Sequence, residues 1–213
     1  MRTPALLWDA MARRSIAWVK DDQQGAEFAD VMIIRGRLTA VGTAIGFDPI
    51  PYRLDYKLET RGRFVTSGLL VNARGEGWSR RLDLRRLWSG RWTARTKVRG
   101  EVDLPAPGGD MSAFKTALDC DLALSPLTNT MPVLRHGLLS GGGPVDLVMA
   151  WVSVPDLAVH VSPQRYTFIR REGDRSIVRY ESGSRDFVAE LVFDSDGFVI
   201  AYPGIGHRIG DSS

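Results

Sequence analysis

The run Tyr52-Arg53-Leu54-Asp55-Tyr56-Lys57-Leu58 alternates apolar and charged side chains without a break. Successive side chains of an extended strand point to opposite faces. Tyr52, Leu54, Tyr56 and Leu58 are therefore assigned to a buried face, and Arg53, Asp55 and Lys57 to a solvated one. Shorter runs of the same kind recur along the chain, at 16–19, 31–34, 64–71, 82–84, 118–124, 145–154, 157–161, 166–169, 177–180, 187–193 and 198–202. Turn residues separate them. Ser89-Gly90 and Asp196-Gly197 suit two-residue hairpins, while Gly141-Gly142-Gly143-Pro144 and Pro105-Ala106-Pro107-Gly108-Gly109-Asp110 suit longer loops. Only Pro4 to Arg14 has helix-favouring content, so at most one or two short helices are expected. Many short antiparallel strands joined by turns imply an all-β sandwich, barrel or rolled sheet, and periodicity does not choose among them.

The bulk composition narrows the class. A chain of 213 residues with 44% hydrophobic and 25% charged residues can bury a core without staples. No linker-like stretch divides it, so a single domain over 1–213 is expected. The one cysteine, Cys120, excludes an intramolecular disulfide and reads as a small buried hydrophobe, which suits a reducing compartment. Ala5-Leu6-Leu7 is too short for a signal-peptide core, and no window approaches the ~20 apolar residues of a membrane span. A soluble, cytoplasmic protein is the expectation.

Charge is unevenly spread. Between Arg74 and Arg99 nine basic residues face only Glu76 and Asp83, although the whole chain carries just +3. Arginine outnumbers lysine 24 to 4, and its fork suits phosphates and carboxylates. The stripe is either a solvated face or an attractor for a polyanion, a membrane surface or a partner. No nucleic-acid motif accompanies it, so no nucleic-acid partner is expected.

The stretch Leu118 to Pro132 differs from the rest. It begins as a half-buried strand, with apolar residues at 118, 120, 122 and 124, and breaks at Ser125-Pro126 into Thr128-Asn129-Thr130 before Pro132. Both prolines lack a donor and push the preceding residue toward extended geometry, so a stiff, non-helical polar loop is expected. Such a loop either holds a polar ligand group or satisfies its own backbone.

Ser125-Pro126-Leu127-Thr128-Asn129-Thr130-Met131-Pro132, followed by Arg135, resembles a signature run of a bacterial family described as "putative glycolipid-binding". Further blocks of the same resemblance are Val154-Pro155-Asp156-Leu157 with Gln164-Arg165-Tyr166, Tyr180-Glu181-Ser182-Gly183 with Phe187, and Val192 to Val199 ending in Tyr202-Pro203-Gly204 and Arg208. Weaker ones are Gly25-Ala26-Glu27, Pro51-Tyr52-Arg53-Leu54 and Gly90-Arg91-Trp92. The departures are Ser125 for Thr, Leu127 for Phe and Asp119 for Gly. The resemblance implies a spiral β-roll, a long antiparallel sheet curled over itself, and binding of a glycolipid or other amphipathic molecule inside it.

Signs of catalysis are sparse. There is no Gly-x-Ser-x-Gly elbow, and His136, His160 and His207 lack metal-ligand spacing. Asp194-x-Asp196-Gly197 lacks the rest of a calcium loop and reads as a turn. No metal or cofactor is expected. Asp119 and Asp121 share one strand face about 7 Å apart, so they are an acid/base pair acting with His136 on a sugar or lipid ester, a pair that binds a cation, or solvated charges. The binding candidates are Thr128, Asn129 and Thr130 for hydroxyl groups, Arg135 for an anion, and Gln164, Tyr166, Tyr202, Trp78 and Trp92 for a sugar face or acyl chain. Three functions follow: non-catalytic binding of an amphipathic ligand, a small hydrolase, and a polyanion- or partner-binding module. Oligomeric state is left open.

Overall fold

The computed structural model describes residues 11–22, 24–184 and 186–210. The first strands are β1 (Met11–Lys20), β2 (Gly25–Ile34), β3 (Arg37–Gly46), β4 (Tyr52–Arg61), β5 (Val65–Gly75), β6 (Trp78–Arg86) and β7 (Trp92–Arg99). The second set is β8 (Asp119–Leu122), β9 (Val145–Val152), β10 (Val159–Glu172), β11 (Arg175–Ser182), β12 (Phe187–Phe193), β13 (Val199–Tyr202) and β14 (Gly206–Arg208). All belong to one 14-stranded sheet, in the order β7-β6-β5-β4-β3-β2-β1-β14-β13-β12-β11-β10-β9-β8. Each half is a meander, and β1 meets β14 at the centre through Trp18–Arg208, Val19–His207 and Lys20–Gly206. The all-β expectation holds, and the sheet is not closed.

The sheet bends enough for its β8 edge to reach β5. The Thr66 N–H donates to the Leu118 carbonyl at 3.1 Å, and the Cys120 N–H donates to Thr66 Oγ1 at 3.0 Å. Cys120 is fully buried there, and burial pushes its thiol up to about 12. The inner face carries two apolar clusters. The larger gathers Trp18, Leu54, Leu58, Leu82 and Trp92 with Leu122 and Leu127, and the smaller gathers Tyr166, Tyr180, Leu191, Phe193 and Tyr202.

Strand β3 carries no clean apolar alternation, because Gly42 and Gly46 occupy its inner face. Each lies opposite a tyrosine, Gly42 beside Tyr56 and Gly46 beside Tyr52. A Cβ at Gly42 would fall 2.4 Å from the Tyr56 ring. The missing side chain lets Tyr56 lie across β3 and reach Glu27 on β2, where its hydroxyl donates to the carboxylate at 2.7 Å. Gly42→Val is expected to expel the Tyr56 ring and to lower stability by about 2–4 kcal/mol. Urea unfolding checks this, and a cost under about 0.5 kcal/mol would refute the packing.

The expectation of a non-helical loop at 125–132 is overturned. Pro126–Asn129 forms a 3-10 turn and Thr130–Arg135 a short helix, α1. Pro126 opens the first turn and Pro132 sits within the next, near helix starts where backbone N–H groups have no internal partner. Ser125, ahead of Pro126, keeps the extended geometry a proline imposes (φ −96°, ψ 114°). Topology supplies the deeper cause. Strands β8 and β9 are parallel, and parallel neighbours need a crossover of a dozen or more residues, usually helical.

Of the helix-favouring segment Pro4 to Arg14, residues 4–10 lie outside the described residues, while Arg13 and Arg14 lie in β1. The two hairpin candidates are real turns but longer than two residues. Leu87 accepts from Gly90 N–H and donates to Arg91, and Asp194 accepts from Gly197 N–H. Both glycines follow the turn centre with φ of 86°. The Asp194 carboxylate accepts from the backbone of Asp196 and Phe198, the turn role read for that motif.

Candidate functional site

At the end of the sheet where the crossover leaves β8, a cavity of about 350 Å³ opens. The polar part of its wall is Asp121, Ser125, Asn129 and Ser153, and the apolar and aromatic part is Trp151, Phe187, Tyr202 and Ile205 with Leu122, Leu124 and Val154. Trp151 lies beside Asp121, its register partner across β8 and β9. The size lies at the low end of small-ligand sites, roughly 300–1,000 Å³.

A hydrogen-bonded ring supports the polar wall. Asp121 accepts from Thr128 Oγ1 at 2.8 Å and from Gln164 Nε2 at 2.7 Å. The Tyr166 hydroxyl lies 2.9 Å from Asn129 Oδ1 and 3.1 Å from Gln164 Oε1, so one proton serves two acceptors. Burial, and then the charge of Asp121, pushes the Tyr166 phenol well above its usual range, and it stays a donor. Asn129 Nδ2 donates back to the Pro126 carbonyl at 3.2 Å. Tyr166 packs edge-on against Tyr180, which packs edge-on against Tyr202, so the ring and the aromatic wall form one assembly.

Two buried ion pairs hold the crossover in place. Arg135 grips Asp119 with both arms of its guanidinium, with 2.7 Å for Nη1 to Oδ1, and both side chains are almost wholly buried. Its Nε also lies 3.2 Å from His136 Nε2. Burial and the Arg135 charge hold His136 below its ordinary value. The second pair joins β1 to β2. Glu27 accepts from Tyr56, from Ser125 Oγ at 2.6 Å and from Lys20 Nζ at 3.3 Å. Lys20 also donates to the Leu124 carbonyl. Leu124 has a φ of 62°, a left-handed geometry that a leucine rarely adopts, and the Lys20–Glu27 pair holds its carbonyl and the hydroxyl of the next residue, Ser125.

The expected site residues therefore divide. Asn129 and Tyr202 line the cavity, and Thr128, Gln164 and Tyr166 stand directly behind it. Arg135 is taken up by Asp119, and Thr130 Oγ1 is buried with no hydrogen-bond partner among the described residues. Trp78 and Trp92 are buried in the larger apolar cluster, the Trp92 indole donating to the Ala117 carbonyl at 3.1 Å. Of the acid/base candidates, Asp121 lines the cavity, whereas Asp119 lies beneath Arg135 and His136 beside it. Sequence reading missed Trp151, Phe187 and Ser153 as lining residues, and Lys20 and Glu27 as supports. Glu27 had one signal: a charge at an inward position of a strand whose neighbours Ala29, Val31 and Ile33 are buried.

The arginine stripe divides: Arg74, Arg81, Lys97 and Arg99 line one groove together with Asp55 and Asn72, while other members are taken up by partners. Arg80 is buried and donates to the carbonyls of Leu104, Pro105 and Asp156. Arg74 meets Asp55, and Arg85 meets Asp83 and Glu59. Among the described residues no helix is long and apolar enough to cross a membrane, and no three His, Cys, Asp or Glu side chains gather as a metal site.

A mostly antiparallel, inward-curving sheet thus carries at one end a cavity lined by both polar and aromatic side chains. The chain belongs to the family described as "Putative glycolipid-binding", whose model matches residues 15–208. That match begins in β1 and ends at the last residue of β14, the strands that meet at the centre of the sheet. The chain is also similar to a solved structure, a DUF1089 family protein from Pseudomonas aeruginosa, at 26% identity and a TM-score of 0.65, covering 98% of this chain and 99% of that one. No curated protein matches it.

Proposed function

We propose that this protein binds the sugar-bearing end of an amphipathic ligand, a glycolipid or a close chemical relative, without transforming it. The carrying observation is the mixed lining of the cavity, in which Asp121, Ser125 and Asn129 share one space with Trp151, Phe187 and Tyr202. Sugars present hydroxyl edges and apolar C–H faces, and a lining of this kind complements both. Asp121 accepts hydroxyl hydrogen bonds, Asn129 and Ser125 add amide and hydroxyl groups, and Trp151 or Tyr202 stacks on the ring face. The volume suits a head group and the first part of a chain, so the remaining acyl chain runs out along the apolar rim at Phe187 and Ile205. Thr128, Gln164 and Tyr166 act from behind by fixing Asp121 and Asn129. The family membership supports the same ligand class.

Native mass spectrometry after incubation with host lipid extract tests this reading. The expected result is a retained mass that releases a glycolipid. Asp121→Asn and Trp151→Ala should each weaken retention about tenfold or more. A clean apo mass with correctly folded protein would refute it, and turnover of a sugar ester that Asp121→Asn abolishes would replace it with a hydrolase.

A further inference from the structure

The end of the sheet opposite the cavity has a different chemistry. The meander places the β2–β3, β4–β5 and β6–β7 connections together there, and hydrogen bonds tie them to one another. Phe64 N–H donates to the Gly36 carbonyl at 2.9 Å, and Arg61 donates to the carbonyls of Arg86 and Leu87 at 3.3 and 3.0 Å. Residues 34–37, 61–65 and 86–92 contain Arg35, Arg37, Arg61, Arg63, Arg86 and Arg91, and no Asp or Glu. Arg35, Arg37, Arg63 and Arg91 are exposed and have no carboxylate partner among the described residues. The nearest acids along these strands, Glu59 and Asp83, are paired with Lys57 and Arg85.

At the tip of the β6–β7 loop the Trp88 side chain is 88% exposed and Leu87 is 38% exposed. An indole this bare is unusual on a protein with a packed core. Arg61 lies 4.7 Å from the ring centroid, and with its bonds to the loop backbone it props the indole outward. A protruding tryptophan and leucine within a ring of unpaired arginines match the two layers of a membrane surface, anionic head groups above and the acyl boundary beneath.

We propose that the arginine-rich turns around Trp88 dock this protein onto an anionic lipid surface, with Leu87 and Trp88 entering the interface. This surface is independent of what fills the cavity: β1 runs from the arginine end at Met11 to the cavity end at Lys20. Lipid is favoured over nucleic acid because the two large side chains of this loop, Leu87 as well as Trp88, are apolar.

Vesicle co-sedimentation with the full chain tests it, using phosphatidylglycerol mixed equally with phosphatidylcholine against phosphatidylcholine alone. Binding is expected only to the anionic vesicles, with a blue shift of tryptophan emission and release at about 0.5 M NaCl. Trp88→Ala should abolish the blue shift and weaken binding about tenfold, while a combined R35N, R37Q, R63N and R91Q variant should weaken it about a hundredfold. Asparagine is chosen at 35 and 63 because both have positive φ, 49° and 61°. Equal binding to neutral vesicles, no binding by folded protein, or binding indifferent to Trp88→Ala would each overturn the proposal. Tighter binding to heparin or single-stranded DNA than to the vesicles would also overturn it, in favour of a free polyanion.

Discussion

Replacing Arg135 with alanine lowers the unfolding free energy by about 3–5 kcal/mol, measured by urea denaturation. The variant leaves the Asp119 carboxylate buried at the β8 edge without its bidentate partner. A buried charge stripped of its counter-ion costs far more than a surface pair, which is worth about 0–1 kcal/mol. The double variant Asp119→Leu with Arg135→Met should recover much of the loss, since an apolar pair of similar volume removes both charges. His136 reports on the same event. Arg135 is one of the charges holding its pKa down, so the imidazole should titrate higher in Arg135→Ala, as followed by NMR. Lowering the His136 pKa makes the native state bind fewer protons than the unfolded chain. Stability is thus lost as pH falls below the ordinary histidine value, and Arg135→Ala should blunt that dependence. A single-variant cost below about 1 kcal/mol would show that water reaches the pair.

Glu27→Ala should be as damaging and should also reach the cavity. It removes one acceptor from three groups at once, the Tyr56 hydroxyl, Ser125 Oγ and Lys20 Nζ. Lys20 Nζ is then left in a buried site with only the Leu124 carbonyl to meet it. The expected loss is about 3–5 kcal/mol, or a fall in melting temperature of about 10 °C. Without that anchor, Leu124 is free to leave its left-handed geometry, and the floor formed by Leu122 to Ser125 loosens. Ligand retention should therefore fall in Glu27→Ala although Glu27 lies outside the lining. Glu27→Gln keeps an acceptor for Tyr56 and Ser125 while giving up the charge, and should fall between the two. Wild-type retention in a destabilised Glu27→Ala protein would separate the pair from the site and refute the coupling.

Strand class was legible wherever one face is buried and the other wet. Tyr52 to Leu58 is the plainest case, and β4 extends it to Arg61. The runs at 157–161 and 166–169 read as two strands but belong to one, β10, because Ser162, Pro163, Gln164 and Arg165 continue the ladder on β9. Strand β3 stayed hidden because its inner face is glycine, and the signal for those glycines lies in tyrosines on another strand. The helical crossover was misread because the proline rules are local, whereas its cause, the parallel pairing of β8 with β9, is not. The site was half legible. Polar residues of the Thr-Asn-Thr run were found, since hydroxyl and amide groups beside a buried strand stand out. Phe187 comes from β12, and Trp151 meets Asp121 only through the parallel β8–β9 pairing, so in sequence both look like ordinary core aromatics.

Strand order has a consequence for how the chain closes on itself. Nearly every neighbouring pair is also adjacent in sequence, as in a plain meander bent into a ring, joined at β14 and β1 and cut between β7 and β8. Among the described residues the strand pairing with the greatest sequence separation is that join, three residues deep, between segments about 190 residues apart. Loop-closure entropy, spread thinly over the hairpins, therefore gathers at a single seam. Two further bonds reinforce it there, from the Trp18 indole to the Val199 carbonyl and from Ile209 N–H to the Ala17 carbonyl.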